Sequence, residues 1–168
     1  SKKLKGIVVT ASKKNADEVL ASAENLKAAN KDVMVNIREN GLTGGGLRAL
    51  GTACLVNIIN SVGSLPTKNW QESYYEQAED ISGESLAEKF LVKAGACHRC
   101  PIACGRVIKV GEKVVGGPEY EPLWAYGANM GNNDLAAVNE ANMWCNEYGL
   151  DAISVPCTIA AAMELYQR

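Results

Sequence analysis

The sequence predicts a mainly α-helical fold with one short strand at the N-terminus and one small hairpin. Three observations predict it. Apolar residues recur at three- and four-residue spacing over several long stretches, as along Leu135, Val138, Cys145 and Tyr148. Those stretches open on side chains that cap helices and stop at glycine. Runs of β-branched residues occur at only two places, Ile7-Val8-Val9-Thr10 and the stretch from Val107 to Val115. With 168 residues, 47% of them apolar, the chain is long enough to bury one core.

The elements follow in order. Lys5 to Thr10 reads as a strand. No second strong strand lies nearby, so its partner is expected outside the segment. Residues 1–10 are therefore expected to be the terminal strand of a preceding domain, and residues 11–168 a helical middle domain cut at its C-terminus. Asn15 to Ala29 reads as a helix capped by Asn15, with Asp17 and Glu18 in its first turn and a stripe of Val19, Leu20, Ala23 and Leu26. Gly44-Gly45-Gly46 reads as a mobile turn. It matches neither G-x-G-x-x-G nor the P-loop pattern.

Leu47 to Ile59 is expected to be helical in two pieces, broken around Gly51-Thr52, and residues 63–67 form a turn. A helix starting at Ser82 or Ser85 is expected to run through Leu86, Phe90 and Leu91 and end near Gly95. The pairs Val107–Val110 and Lys113–Val115 flank Gly111-Glu112 as a hairpin. Asn133 or Asp134 caps a helix whose stripe is Leu135, Val138, Ala141 or Asn142, Cys145 and Tyr148, stopped by Gly149. Asp151 to Tyr166 is another helix, with Ser154 as a cap and Pro156 tolerated in its first turn.

The charges are balanced, 17 basic against 19 acidic side chains, and carry no basic face for nucleic acid. No run of about 20 apolar residues marks a membrane span, and the lysine-rich start lacks the apolar core of a signal peptide. The six cysteines are not spread as a disulfide framework. Three cluster, and Cys54, Cys145 and Cys157 sit in apolar helical surroundings, so a reducing compartment, the cytoplasm, is expected.

The chemistry-bearing residues begin with Cys97, Cys100 and Cys104, spaced C-x2-C-x3-C with Pro101 after the second. Three thiols at this spacing converge on one point when the chain wraps round it. Plain thiols or a local disulfide, a zinc site, and an iron–sulfur cluster all have such a pattern. Zinc wants a second tight pair that is absent, and His98 between two thiols is badly placed to join them. The cluster reading fits best, with three of its four ligands in this loop. Glu119 and Glu121 flank Tyr120 in a Gly/Pro-rich loop; as an isolated pair they read first as a solvated loop, and second as a pair able to do acid–base work if burial raises one of them. The junction Cys145-Asn146-Glu147-Tyr148-Gly149-Leu150-Asp151 ends one helix and starts the next. On its own it reads first as an ordinary helix–glycine–N-cap junction; the second reading is that its glycine permits close backbone approach to a ligand, whose heterocycle its amides, Asn146 and Asp151 could bond.

Taken in series, Cys97-x2-Cys100-Pro-Ile-x-Cys104, Gly117-Pro118-Glu119-Tyr120-Glu121, and Cys145-Asn146-x-x-Gly149-Leu150-Asp151 followed by Ser154 resemble the tungsten-containing aldehyde ferredoxin oxidoreductase family. The order and spacing cover essentially the whole chain. The resemblance implies the helical middle domain of such an enzyme. It further implies that aldehyde and water become carboxylic acid at a tungsten or molybdenum bis-pterin site, with electrons passing through a [4Fe–4S] cluster to ferredoxin. Cys97, Cys100 and Cys104 would be three cluster ligands, the fourth coming from a further domain. Glu121, or second to it Glu119, would transfer protons. Asn146, Leu150 and Asp151 would contact a pterin, although Asn146 stands where the family motif has Asp. Glu140 would match a glutamate used at a dimer metal site in some members. A stand-alone cluster-bearing electron-transfer module and a zinc-stabilised interaction domain are the alternatives.

Overall fold

The computed structural model describes residues 4–10 and 21–168. Its element order is helical, then a small sheet, then helical again. Helix α1 spans Ala23–Glu39 and is capped by Ser22, whose hydroxyl accepts the Asn25 backbone N–H. The sequence placed this helix from 15 to 29. It starts later and runs ten residues further, and the expected cap Asn15 lies outside the described residues. No side chain of α1 is fully buried. Residues 4–10, expected as a strand paired elsewhere, pair with no described residue and lie exposed.

Gly41–Gly46 is a wide π-helical turn rather than the expected loose one. Asn40 starts it by accepting the N–H groups of Leu42 and Thr43. Gly44 packs so closely on the Arg38 carbonyl that no side chain fits there. Then come α2 (Leu47–Leu50), a 3-10 turn at Gly51–Cys54, and α3 (Leu55–Ser61). The break falls at Gly51, as the sequence implied, because φ there is +71°. By length and apolar character alone, the helical run Gly41–Ser61 is enough to cross a membrane, contrary to the sequence reading. Its backbone bends at Gly51, and Ala53, Cys54, Val56 and Asn60 pack into the core.

Helix α4 (Gly83–Lys89) is capped by Ser82, which accepts the Ser85 N–H. It ends at Lys89, six residues before the expected end near Gly95, because Leu91–Gly95 is strand β1 and not a last helical turn. β1 pairs antiparallel with β2 (Gly105–Val110), and β2 with β3 (Lys113–Gly116), giving the order β1-β2-β3. The second connection is the expected Gly111-Glu112 turn, with Gly111 at φ +56°.

Helix α5 (Tyr120–Tyr126) is the centre of the core, with Pro122 through Tyr126 all buried. It meets Ala53 and Val56 from α2–α3, Leu86 of α4, Ile108 of β2, and Leu135, Val138 and Cys145 of α6 (Leu135–Tyr148). Asp134 caps α6 by accepting the N–H groups of Ala136 and Ala137. Gly149, at φ +65°, ends it in the left-handed conformation. Of the expected stripe, Leu135, Val138, Asn142 and Cys145 are buried, while Tyr148 is exposed. Helix α7 (Ser154–Gln167) follows. Ile153 holds the N-cap position, not Ser154, which is the first helical residue; the Ser154 N–H is taken by the Asp151 carboxylate.

Candidate functional site: the cysteine loop and its arginine floor

Cys97, Cys100 and Cys104 all lie on the loop joining β1 to β2. The ladder closes at its mouth, where Gly95 faces Gly105. A Cβ on Gly105 would sit 3.2 Å from the Gly95 carbonyl oxygen, so two glycines let the strands meet there. The loop reverses direction through Arg99 and Ala103, at φ +57° and +56°, and through the Cys100 N–H donating to the Cys97 carbonyl at 3.0 Å. Non-glycine residues rarely adopt this conformation, and it is found mainly where surrounding contacts impose it.

Those contacts come from two arginines. Arg106, 5% exposed, lies under the loop. Its guanidinium donates to the carbonyls of Ala49 (2.7 Å), Arg48 (3.3 Å), Ala103 (2.5 Å) and Gly105 (2.8 Å). Arg48 in turn donates to the Pro101 carbonyl at 2.9 Å. The turn at Gly51 is pressed against the same loop, since a Cβ there would stand 2.5 Å from the Cys104 carbonyl oxygen. Burial pushes the Arg106 guanidinium below its ordinary value, against the opposing effect of charge on Glu119 and Cys104. Arg38, Arg48 and Pro101 also line an open cleft between α1 and the loop, about 510 Å³ in volume.

The carboxylate loop is tied to the same floor. Gly117 N–H donates to the Arg106 carbonyl at 2.8 Å. The Thr52 hydroxyl donates to the Glu119 carboxylate and accepts the Tyr120 N–H at 2.9 Å. Glu119 is half-buried and Glu121 is exposed, so burial favours the residue that the sequence ranked second. Burial, and then the charge of Glu121, pushes the Tyr120 phenol up.

The structure thus joins the cysteine loop to Glu119 through Gly51-Thr52 and Arg106. It does not join them to the third segment by any hydrogen bond. Asn146, Leu150 and Asp151 are all exposed at the α6–α7 junction. Leu150 N–H donates to the Cys145 carbonyl at 2.8 Å, and Gly149 N–H to the Asn146 carbonyl at 3.4 Å, an ordinary glycine helix stop. The Asp151 carboxylate is engaged by the Ser154 N–H at 2.7 Å and by its hydroxyl, which together hold it below the usual carboxylate range. Glu140 is exposed and accepts from the Trp144 indole at 3.3 Å. Sequence reasoning missed Thr52, Arg48 and Arg106. For Arg106 the only local signal was a basic residue on the inward register of a strand beginning right after Cys104.

The donor chemistry of the loop fits part of an iron–sulfur site. All six cysteines are free, and the three on the loop are the partly or fully accessible ones apart from Cys157. Three thiols on one loop match three corners of a four-thiolate set, and a buried cation beneath suits an anionic group. Among the described residues, no three Cys, His, Asp or Glu side chains already converge on a cation position. Cys54 and Cys157 make poor fourth ligands. Burial pushes both thiols up, reinforced by the charge of Glu84 for Cys54 and of Asp151 for Cys157. Cys145 is engaged by the Tyr126 hydroxyl at 3.0 Å inside the core.

Comparison with known proteins places this architecture. Residues 28–168 match the family model described as aldehyde ferredoxin oxidoreductase, domains 2 and 3. The chain is 47% identical, over its whole length, to the tungsten-containing aldehyde ferredoxin oxidoreductases of Thermococcus kodakarensis and Pyrococcus furiosus, and covers 27% of each. It is 32% identical over 112 residues to the aliphatic sulfonate oxidoreductase, WOR-like subunit, of Pyrococcus furiosus, a match covering 62% of this chain and 18% of that protein. The chain thus spans about a quarter of the length of the relatives it matches throughout. This mainly helical chain, with Cys97, Cys100 and Cys104 on a β-hairpin loop and matched over 28–168, belongs to the aldehyde ferredoxin oxidoreductase family.

Proposed function

We propose that this chain serves within a longer oxidoreductase that converts aldehyde and water to carboxylic acid, passing two electrons, one at a time, to a ferredoxin-type acceptor and releasing two protons to solvent. Cys97, Cys100 and Cys104 would hold three irons of a [4Fe–4S] cluster. Asn146, Leu150 and Asp151 would face a tungsten- or molybdenum-bis-pterin. When bound, these groups supply the two-electron and one-electron redox chemistry that no side chain here provides.

What this chain's own residues do is more specific. The β1–β2 hairpin holds the three thiols on one loop. Arg48, Arg106 and Gly51 fix that loop against α2. Thr52 orients the Glu119 carboxylate at the start of α5, where a half-buried acid can accept or return the proton released as water attacks. Glu121, exposed beside it, would sit one step further out and influence Tyr120.

The observation that carries the reading is the attachment of the cysteine loop and Glu119 to one floor, in a chain matched at 47% identity throughout. The weaker and shorter match is to a protein named for sulfonate. The full-length matches favour aldehyde.

The test is made on the whole protein, purified without air. Replacing Cys97, Cys100 or Cys104 by serine should lower iron and acid-labile sulfide and abolish aldehyde-dependent viologen reduction. Unchanged iron, sulfide and turnover in all three variants would overturn the assignment.

A further inference from the structure

The Arg106 side chain is an expensive thing to bury. Moving a cation out of water costs several kcal/mol even after relaxation. Buried cations are normally paired with a carboxylate, yet none of the described carboxylates lies within 4.0 Å of this guanidinium. Its partners are backbone carbonyls from both sides of the site, Arg48 and Ala49 below and Ala103 and Gly105 above. These are neutral dipoles. They satisfy the N–H donors but form no direct ion pair with the unit charge. Glu119 is the acid whose charge acts on Arg106, and its own oxygen is committed to Thr52.

Two of the four acceptors, Ala103 and Gly105, flank Cys104 on either side. The guanidinium therefore grips the backbone of the one thiol-bearing residue whose carbonyl also rests on Gly51. A buried positive charge at this place does two separable things. It holds Cys104 in position, and it favours whatever adds negative charge at the loop.

We infer that Arg106 is a positioning and potential-setting residue for the cluster held by Cys97, Cys100 and Cys104, raising its reduction potential by placing a permanently charged guanidinium beneath the loop. The inference rests on the ligand assignment above. Reduction adds one negative charge to the cluster, and cluster potentials respond to local charge and hydrogen bonding. A fixed buried cation stabilises the reduced form. Because guanidinium does not lose its proton, the effect does not vary with pH across the working range.

The experiment compares Arg106→Gln and Arg106→Lys in the whole protein, purified without air. Iron and sulfide content and an EPR-monitored redox titration are read for each. Arg106→Gln keeps polar contacts to the carbonyls but removes the charge. At a potential poised on the wild-type midpoint, its reduced-to-oxidised ratio should fall about tenfold, which is 59 mV for a one-electron couple. Arg106→Lys keeps the charge and should lie closer to wild type. Full cluster content with a wild-type midpoint in Arg106→Gln would overturn the inference. If Arg106→Gln loads no cluster, the lysine variant decides. Restored loading supports a role for the charge, and equal failure of both overturns it. Failure of the ligand assignment itself reads out separately, as cluster content indifferent to the three cysteine-to-serine changes.

Discussion

Thr52 bridges two segments by itself: its hydroxyl donates to the Glu119 carboxylate while accepting the Tyr120 backbone N–H at 2.9 Å. Thr52 follows Gly51, the residue on which Cys104 rests, so two adjacent residues touch the two candidate chemical groups of the chain. Removing the hydroxyl with little change of shape, as in Thr52→Val, leaves a backbone N–H without its acceptor and a carboxylate without its donor. Stability to urea should fall by about 1–3 kcal/mol. Thr52→Ser keeps the hydroxyl and should recover most of that. A valine variant as stable as wild type would mean that water replaces the hydroxyl at both ends.

Gly51→Ala tests the packing of the cysteine loop directly. At φ +71° and ψ −164° the backbone is in a region open essentially to glycine alone, and the new methyl would meet the Cys104 carbonyl. A loss of at least about 2 kcal/mol is expected. In the whole protein, cluster content should fall with it, although alanine removes no ligand.

Asn60 and Tyr75 predict a larger effect away from the site. The buried Asn60 amide accepts the Tyr75 N–H at 2.8 Å and donates to the Tyr75 carbonyl at 3.0 Å, as a neighbouring strand would. Asn60→Ala strands both groups and should cost on the order of 2–4 kcal/mol, measured as a shift of the unfolding midpoint at unchanged slope. Asn60→Asp keeps the acceptor but turns a charged oxygen toward the Tyr75 carbonyl, so it should rescue little at neutral pH.

Acid should loosen the start of α7. Asp151 is held below its ordinary value by its bonds from Ser154. A carboxyl with a depressed folded value contributes stability above its unfolded value, near 3.9, and loses it as pH falls through the folded value. The Ser154 amide should therefore lose protection, measured against the intrinsic exchange rate at each pH, as pH falls below about 3.9, and Asp151 should titrate below the usual carboxylate range by NMR. Ser154→Ala should move the Asp151 midpoint upward. An unmoved midpoint would show that the hydroxyl carries none of the effect.

The 168-residue chain purified in air should hold far fewer than four irons and four sulfides, because three loop thiols leave one iron corner open to solvent and oxidation. Iron and sulfide near four each would instead point to a fourth ligand from Cys54, Cys145 or Cys157, which serine variants would identify.

What the sequence disclosed follows from which interactions are local. Asp134 capping α6, Gly149 ending it, the Gly111-Glu112 turn and the break at Gly51 are all set by residues within a few positions, and each was legible. β1 was not. Leu91-Val92-Lys93-Ala94-Gly95 suits the end of a helix, and only pairing with Gly105–Ile108 across the cysteine loop makes it a strand. That single non-local pairing also turns the cysteine motif from a loop after a helix into the tip of a hairpin. Arg106 was illegible for the same reason. Its burial depends on carbonyls of Arg48 and Ala49, far away in sequence. The three cysteines were plain to read, but what holds them was not.

Helix α1 sets how the molecule comes apart. Its seventeen residues bury no side chain fully, and its firm attachments are Ser22 at one end and Gly41–Gly46 at the other. Most helical stability in proteins comes from tertiary packing, of which α1 has little. In this chain, α1 therefore opens sub-globally, at a free energy well below that of the α5-centred core, and loss of helical signal runs ahead of loss of tertiary structure. Unfolding of these 168 residues is accordingly expected to depart from a single cooperative event, read as a far-UV transition that precedes the near-UV one.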